Sequence, residues 1–233
     1  MEKKEFPSKQ DNDILNRLNI DSGGGGGGSK LSAVYSKAFS IIKLIMGICL
    51  LPFVYAVSAG LLNQLNAIEG IFQDYFWSGA ISFIIIYLFI WEPAIVYNKG
   101  HKLLEIIFQF FKPMVKVAPY LLPIYTIVIS ILYLIFSFAI KTKETFGYFI
   151  FALSFSLALH LVFSAKSVRG KKGDFLKSNY IFGFSFVYII DIMLLAFVLS
   201  NMFKEFSFVN FSTDSFQTGR GVLHAIFKQL FSV

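Results

Sequence analysis

The stretch from Tyr97 to Phe108 reads YNKGHKLLEIIF and carries a histidine and a carboxylate four residues apart. On a helix, this spacing places His101 and Glu105 on one face, as it places the two zinc-binding histidines of an HExxH helix. In that motif, the glutamate beside the first histidine activates a water molecule. Here Lys102 holds that position, and an ammonium group cannot accept a proton from water and repels a metal cation. The stretch therefore has the spacing of a zinc-binding helix without its general base.

Three further ionisable residues, Glu92, His160 and Asp191, lie in long apolar runs of the sequence. Ionisable groups within a membrane cost roughly 2.5 to 3.5 kcal/mol each on insertion scales, so each is a candidate functional residue. Glu92 and His160 are predicted at similar depth, and we expect them to pair and join two helices. For Asp191, which is predicted deeper, we expect a protonated carboxyl bonded to a hydroxyl or a carbonyl. Two alternatives remain open: the three residues line a polar path, or His101, Glu105 and Asp191 bind zinc together.

The composition indicates a membrane protein, because 56% of the 233 residues are hydrophobic and only 15% are charged. Uncharged runs of about 20 residues are long enough to cross the bilayer as helices. The sequence predicts an all-α, polytopic bundle of about five spans, with a short interfacial or re-entrant helix at residues 101–112. The predicted spans are Leu44–Leu62, Tyr75–Tyr97, Val117–Ile140, Thr145–Ala165 and Tyr180–Phe203.

The chain divides by composition into three parts. Residues 1–30 form a polar tail that ends in the glycine run Gly23–Gly28, and we expect this tail to be disordered. Residues 31–203 hold the spans and the single cysteine, Cys49, so no disulfide framework is expected. Residues 204–233 form a C-terminal tail whose apolar residues recur at helical spacing opposite His224 and Lys228, which predicts an amphipathic helix.

The distribution of lysine and arginine predicts the orientation in the membrane. Sixteen of the 21 basic residues fall in the N-terminal segment and in the second-to-third and fourth-to-fifth connections. The N-terminus is therefore predicted inside and the C-terminus outside. Because this topology accounts for most of the net charge of +7, we expect an anionic lipid surface as its partner and no nucleic acid.

Several short motifs resemble bacterial membrane metallopeptidases of the site-2 protease type. They are Y-x-x-G-H at Tyr97–His101, A-P-Y-L-L-P-I-Y-T at Ala118–Thr126, a histidine-bearing span with a basic loop at His160–Lys172, and N-Y-I-F from Asn179. In that family, two histidines and a later intramembrane aspartate bind zinc, and a glutamate is the base. The resemblance keeps His101 as a ligand and Asp191 as a stand-in for the aspartate. It places Lys102 at the base position and Glu105 at the second histidine.

The resemblance implies a protein of the bacterial inner membrane, and the substitutions at Lys102 and Glu105 indicate that its chemistry is lost. We therefore expect a non-catalytic, pseudoprotease-like binding or scaffold subunit of a membrane complex. It would have no cofactor, and its partner would be another membrane protein or a second copy. Two alternatives differ in class: an active intramembrane zinc metallopeptidase with substituted ligands, and a small transporter or lipid-handling subunit.

Overall fold

The computed structural model describes residues 26–138, 142–169 and 179–231 of the chain. Those residues form eight α-helices and no strand, so the prediction of an all-α bundle is confirmed. The helices are α1 (Gly26–Leu65), α2 (Gly70–Ile85), α3 (Ala94–Ile107), α4 (Lys112–Leu121), α5 (Ile124–Phe136), α6 (Lys143–Arg169), α7 (Tyr180–Met202) and α8 (Phe208–Phe231). The chain divides into two compact units at Ile42, and the candidate site lies in the second, Lys43–Val233.

Two predicted features lie outside the described residues: the first 25 residues of the polar tail, and residues 170–178 of the basic loop. Helix α1 begins at Gly26, so it includes the last residues of the range predicted to be a disordered tail.

Four helical segments are long and apolar enough to cross a membrane. They are Ala38–Leu65, Gly70–Ile90, Lys143–Arg169 and Tyr180–Met202. Helix α5 is apolar but has only 13 residues, so its length of roughly 20 Å falls short of the hydrocarbon thickness. The described part of the chain thus has four full-length candidate spans and one shorter apolar helix where the sequence predicts about five spans.

The second predicted span, Tyr75–Tyr97, ends earlier than predicted. Helix α2 closes with a widened turn at Ile86–Ile90, where the amide of Trp91 donates to the carbonyl of Ile86. Trp91 is extended, with φ −164° and ψ 141°. Pro93 has no amide proton and disfavours a helical residue before it, so a new helix, α3, begins only at Ala94.

The third predicted span, Val117–Ile140, is not one helix. Helix α4 ends at Leu121, Leu122 is extended with φ −109° and ψ 121°, and α5 begins after Pro123. The physical reason is the same, because a proline disfavours helical backbone in the residue before it. The short helix predicted at residues 101–112 corresponds to α3, which begins seven residues earlier, at Ala94.

Helices α2 and α6 pack closely because each presents a glycine to the other. A Cβ atom added to Gly79 of α2 would lie 2.3 Å from the carbonyl oxygen of Phe151. A Cβ atom added to Gly147 of α6 would lie 2.3 Å from the ring of Tyr75. Small residues at a helix interface allow backbones to approach and gain dispersion contacts, which drive helix association in lipid.

The main core lies between α1, α2, α6, α7 and α8. Its fully buried residues include Ile150, Leu153, Leu195, Leu199 and Phe211. Interhelical hydrogen bonds supplement this packing: Thr126 Oγ1 and Ser156 Oγ lie 2.9 Å apart, and Ser58 Oγ and Tyr188 Oη lie 2.8 Å apart. Such bonds contribute about 0.6 kcal/mol each in membrane proteins, so packing remains the larger contribution.

The C-terminal amphipathic helix is confirmed, and it is longer than the apolar pattern indicates. Helix α8 has 24 residues and buries Phe211, Ser215 and Gly219. Its contacts with α1 include a hydrogen bond at its start, where the Ser207 amide donates to Oε1 of Gln64 at 3.2 Å.

Candidate functional site

Helix α3 carries the histidine and carboxylate that the sequence analysis singled out. Nδ1 of His101 lies 3.2 Å from Oε1 of Glu105, one helical turn away. The His101 side chain is 19% exposed and that of Glu105 is 46% exposed. The prediction that His101 and Glu105 share one face of a helix is therefore confirmed, and the two side chains contact each other. Lys102, beside them, is exposed.

An open polar cavity of about 460 Å³ lies along this face of α3. Its lining residues are Tyr97, Asn98, His101, Lys102, Glu105, Tyr120 and Ser167. The His101 ring meets the Tyr120 ring edge to face, with centroids 4.9 Å apart. The cavity thus presents a cation, an anion, an amide and hydroxyl groups within one cleft, which suits binding of a polar or charged group.

A second polar group lies within the bundle, where α6 meets α7. Nε2 of His160 lies 3.5 Å from Oδ2 of Asp191, and the two side chains are 6% and 0% exposed. Neither carboxyl oxygen of Asp191 has a hydrogen-bond partner among the described residues. A buried polar group without a hydrogen bond lowers the stability of a fold by about 1 to 3 kcal/mol, so Asp191 is expected to destabilise the bundle at this position.

His160 is held by Ser164, one turn further along α6. The Ser164 Oγ lies 3.1 Å from Nε2 of His160 and donates to the carbonyl of Tyr120 at 3.3 Å. A hydroxyl group has a single proton, so when Ser164 donates to Tyr120 its oxygen can accept a second hydrogen bond from His160 only if Nε2 carries a proton. In that tautomer, the Nε2 proton faces both Ser164 and Asp191.

Tyr97 lies between the cavity and the buried pair. Its ring centroid is 6.1 Å from that of His101 and 6.1 Å from that of His160, and it stacks on Phe163 at 5.2 Å. Its hydroxyl is buried and lies near the hydroxyls of Ser164 and Ser167. Burial raises the pKa of Tyr97, so the hydroxyl keeps its proton at neutral pH. Aromatic and polar side chains thus run from the cavity to His160 and Asp191.

Glu92 does not join this group, contrary to the expected pairing with His160. It lies in the break between α2 and α3, and its carboxylate forms an ion pair with Lys166 of α6. Both side chains are about half exposed. The residue that His160 meets is Asp191, which the sequence analysis placed deeper. The estimate of depth failed because the second span ends at Ile90, before Glu92.

The ion pair of Glu92 with Lys166 is expected to contribute little to stability, because exposed pairs gain little Coulomb energy in a medium of high dielectric constant. Glu92→Gln should leave the midpoint of thermal unfolding in mild detergent within about 2 °C of the parent. Glu69→Gln is the matched control, since Glu69 forms a similarly exposed pair with Lys143. A much larger shift for Glu92→Gln than for Glu69→Gln would contradict this assignment.

The set of His101, Glu105 and Asp191 is not assembled into a metal site. Among the described residues, no three histidine, cysteine, aspartate or glutamate side chains lie close enough together to hold an ion. His101 contacts Glu105 on α3, whereas Asp191 contacts His160 on another pair of helices. The residues present therefore do not fit the zinc centre of the resembled family, and no step of zinc chemistry follows from them.

The sequence analysis missed Tyr97, Tyr120 and Ser164 as members of the site. Two of them could have been found from the sequence, because Tyr97 precedes His101 by four residues and Ser164 follows His160 by four. On a helix, such residues share a face. Tyr120 is on a separate helix, and no spacing in the sequence links it to His101.

Comparison with family models, with curated proteins and with solved structures finds no match.

Proposed function

We propose that this chain is a non-catalytic integral membrane protein that binds another membrane protein as a subunit of a complex. The observation that carries the proposal is the face of α3 along the cavity. There His101 and Glu105 contact each other at 3.2 Å, and Lys102 holds the position from which a base would activate water. This arrangement offers groups that can bind a partner, and an ammonium group that cannot accept a proton from water holds the position of the motif's base.

The cavity suits a polar segment that lies next to a transmembrane helix of the partner. Lys102 can bind a carboxylate, Asn98 can both donate and accept, and Glu105 is exposed enough to accept from a basic residue. Ion pairs and hydrogen bonds of this kind fix the register of a partner more than they raise its affinity. Lys102 belongs to a lysine-rich connection, so we propose that this cleft lies on the inner side of the membrane, which the family resemblance would make a bacterial inner membrane.

Site-specific photo-crosslinking tests this proposal. A photoreactive residue at Asn98, which lines the cavity, should yield one adduct of defined mass in native membranes, and Lys102→Glu should remove it. The same residue at Leu103 is the matched control, because Leu103 is 44% exposed on α3 but does not line the cavity. Equal adducts from both positions would contradict a partner at this cleft.

The protease alternative makes an opposite prediction for the purified protein. It requires stoichiometric zinc that is lost in His101→Ala, together with peptide cleavage in liposomes that a chelator stops. Finding both would replace the binding proposal with the catalytic one.

A second candidate function, transport, is favoured by one observation. Asp191 is fully buried with no hydrogen-bond partner among the described residues, beside a histidine that is itself next to Tyr97. Buried acidic residues beside histidines are the parts from which proton relays in membrane proteins are built. In this proposal, His160 and Asp191 bind and release the transported proton within the bundle, beside the α3 cavity, and Glu92 takes no part. Proton uptake into liposomes would then require Asp191.

A further inference from the structure

Helix α8 runs antiparallel to α1 over much of its length. Near its start, the Ser207 amide contacts the Gln64 side chain. Further along, Gly60 faces Phe211 and Ser215, since a Cβ added to Gly60 would lie 2.6 Å from the Ser215 hydroxyl oxygen. Further still, a Cβ added to Gly219 would lie 2.5 Å from the ring of Phe53. As α8 proceeds from Ser207 to Gly219, its contacts on α1 move back from Gln64 to Phe53.

These contacts place α8 at the depth of the bilayer. Phe53 and Gly60 lie inside the uncharged run of α1, which is a candidate span. Another α1 residue, Gly47, lies against the backbone of Phe182, which is near the start of α7. Helix α8 continues for 12 residues beyond Gly219, or about 18 Å at 1.5 Å per residue. Gly47 is only six residues from Phe53, or about 9 Å, so α8 is long enough to pass that level.

One stripe of α8 is polar and faces away from the other described helices of its unit. Its members recur every three or four residues, twice as adjacent pairs, and all are exposed. They are Asn210, Thr213, Asp214, Gln217, Arg220, Gly221, His224 and Lys228. This stripe lies opposite the buried face of Phe211, Ser215 and Gly219. Because of it, α8 is not among the helices apolar enough to cross a membrane alone.

A polar stripe cannot face lipid at this depth without a large penalty. Asp214 and Arg220 would each cost about 2.5 to 3.5 kcal/mol near the middle of the bilayer on insertion scales. Exposed groups on an intramembrane helix therefore need a polar partner or water. We propose that α8 crosses the bilayer as an additional span and that its polar stripe packs against the same stripe of a second copy of this chain.

A second copy fits this stripe because the stripe is self-complementary. The side chains of Asn210, Thr213 and Gln217 each donate and accept, so each can bond to its own counterpart. Asp214 and Arg220 lie roughly 120° apart around the helix at 3.6 residues per turn, so opposite charges border the stripe. In a closed assembly, the acidic edge of one copy can face the basic edge of the next. Gly221, where an added Cβ would meet nothing within 4 Å, leaves room for close approach.

The proposal also changes the expected orientation of the C-terminal end. A crossing by α8 returns Lys228 to the side that holds the sixteen clustered basic residues, and leaves Lys204 on the other side. The sequence analysis, which counted no span after residue 203, placed the C-terminus outside.

Cysteine cross-linking tests the interface in the full chain, in a Cys49→Ala background that removes the single native cysteine. Oxidation in membranes should produce a disulfide-linked dimer from Gln217→Cys, and Phe216→Cys should produce none. Phe216 is the matched control, because it is 59% exposed at the same depth but lies beside the stripe. Asn210→Cys and Val209→Cys form a second pair of this kind, with Val209 70% exposed.

Labelling of the same background in intact cells tests the crossing. A membrane-impermeant maleimide should label Lys204→Cys and label Gln229→Cys only after the membrane is broken. Labelling of both positions in intact cells would overturn the crossing. Labelling of Gln217→Cys by a small soluble reagent without a dimer would show a water-facing stripe and overturn the interface. Protection of Gln217→Cys without a dimer would show a different partner, and would also overturn it.

Discussion

Replacing Gly79 with alanine is expected to destabilise the bundle by about 1 to 3 kcal/mol, the usual cost of adding a methyl group to a filled interface. The added carbon would lie 2.3 Å from the Phe151 carbonyl oxygen, a backbone atom that cannot move without the whole of α6. Alanine is otherwise the better helix former by about 1 kcal/mol, so intrinsic propensity acts in the opposite direction. Thermal unfolding in mild detergent, followed by the monodisperse fraction on a sizing column, measures the effect.

Two other glycines make this prediction a graded series. Gly147→Ala should cost less, because its new carbon would meet the ring of Tyr75, the far end of a flexible side chain. Gly70→Ala is the matched control on α2, because nothing lies within 4 Å of its added carbon. If Gly79→Ala were as stable as Gly70→Ala, the backbone contact between α2 and α6 would not be a determinant of the fold.

The apolar runs of the sequence predict most of the helices, because the bilayer allows few other structures for such runs. The fourth and fifth predicted spans correspond to α6 and α7. The start of α7 is also marked in the sequence, since the Asn179 side chain accepts a hydrogen bond from the Phe182 amide at 3.1 Å. The breaks before α3 and before α5 were harder to predict from the sequence. Prolines at positions 93 and 123 are plain in the sequence, but neighbouring helices decide whether a proline kinks a helix or ends it.

The site could be predicted only where its residues share a helix. The contact of His101 with Glu105 follows from their four-residue spacing. The contact of His160 with Asp191 does not, because it depends on how α6 and α7 are rotated and shifted against each other. The position of α7 in the bundle is set by packing at particular residues, such as Phe182 against Gly47 of α1. Pairing residues by their distance from the end of a predicted span therefore matched His160 with Glu92 instead of Asp191.

The buried pair of His160 and Asp191 leads to a prediction about single and double substitutions. His160→Leu should destabilise the protein by about 1 to 3 kcal/mol, because it leaves the buried Asp191 carboxyl without its nearest polar neighbour. Asp191→Leu should cost less, because His160 keeps its hydrogen-bonding neighbour Ser164 at 3.1 Å and the unpartnered carboxyl oxygens are removed. Thermal unfolding of the detergent-solubilised variants measures both effects.

The double variant His160→Leu/Asp191→Leu should recover most or all of the stability lost in His160→Leu. Two leucines leave no unpartnered polar group at this position and can pack against each other. Replacing a buried polar pair with apolar residues of similar volume is often neutral or stabilising. Ser164 remains satisfied in the double variant, because it still donates to the Tyr120 carbonyl. If the double variant lost as much stability as the two single variants together, the two residues would not act as a pair.

The same double variant distinguishes a structural pair from a transporting one. A pair that only holds α6 against α7 can be replaced by leucines without loss of partner binding at the α3 cavity, which is measured by the Asn98 cross-link. A pair that carries protons cannot be replaced, because leucine neither binds nor releases a proton. Proton uptake into liposomes by the parent, absent from a folded and stable double variant, would favour transport over binding. Equal and negligible uptake by both, with the cross-link retained, would leave the pair a structural role in a binding protein.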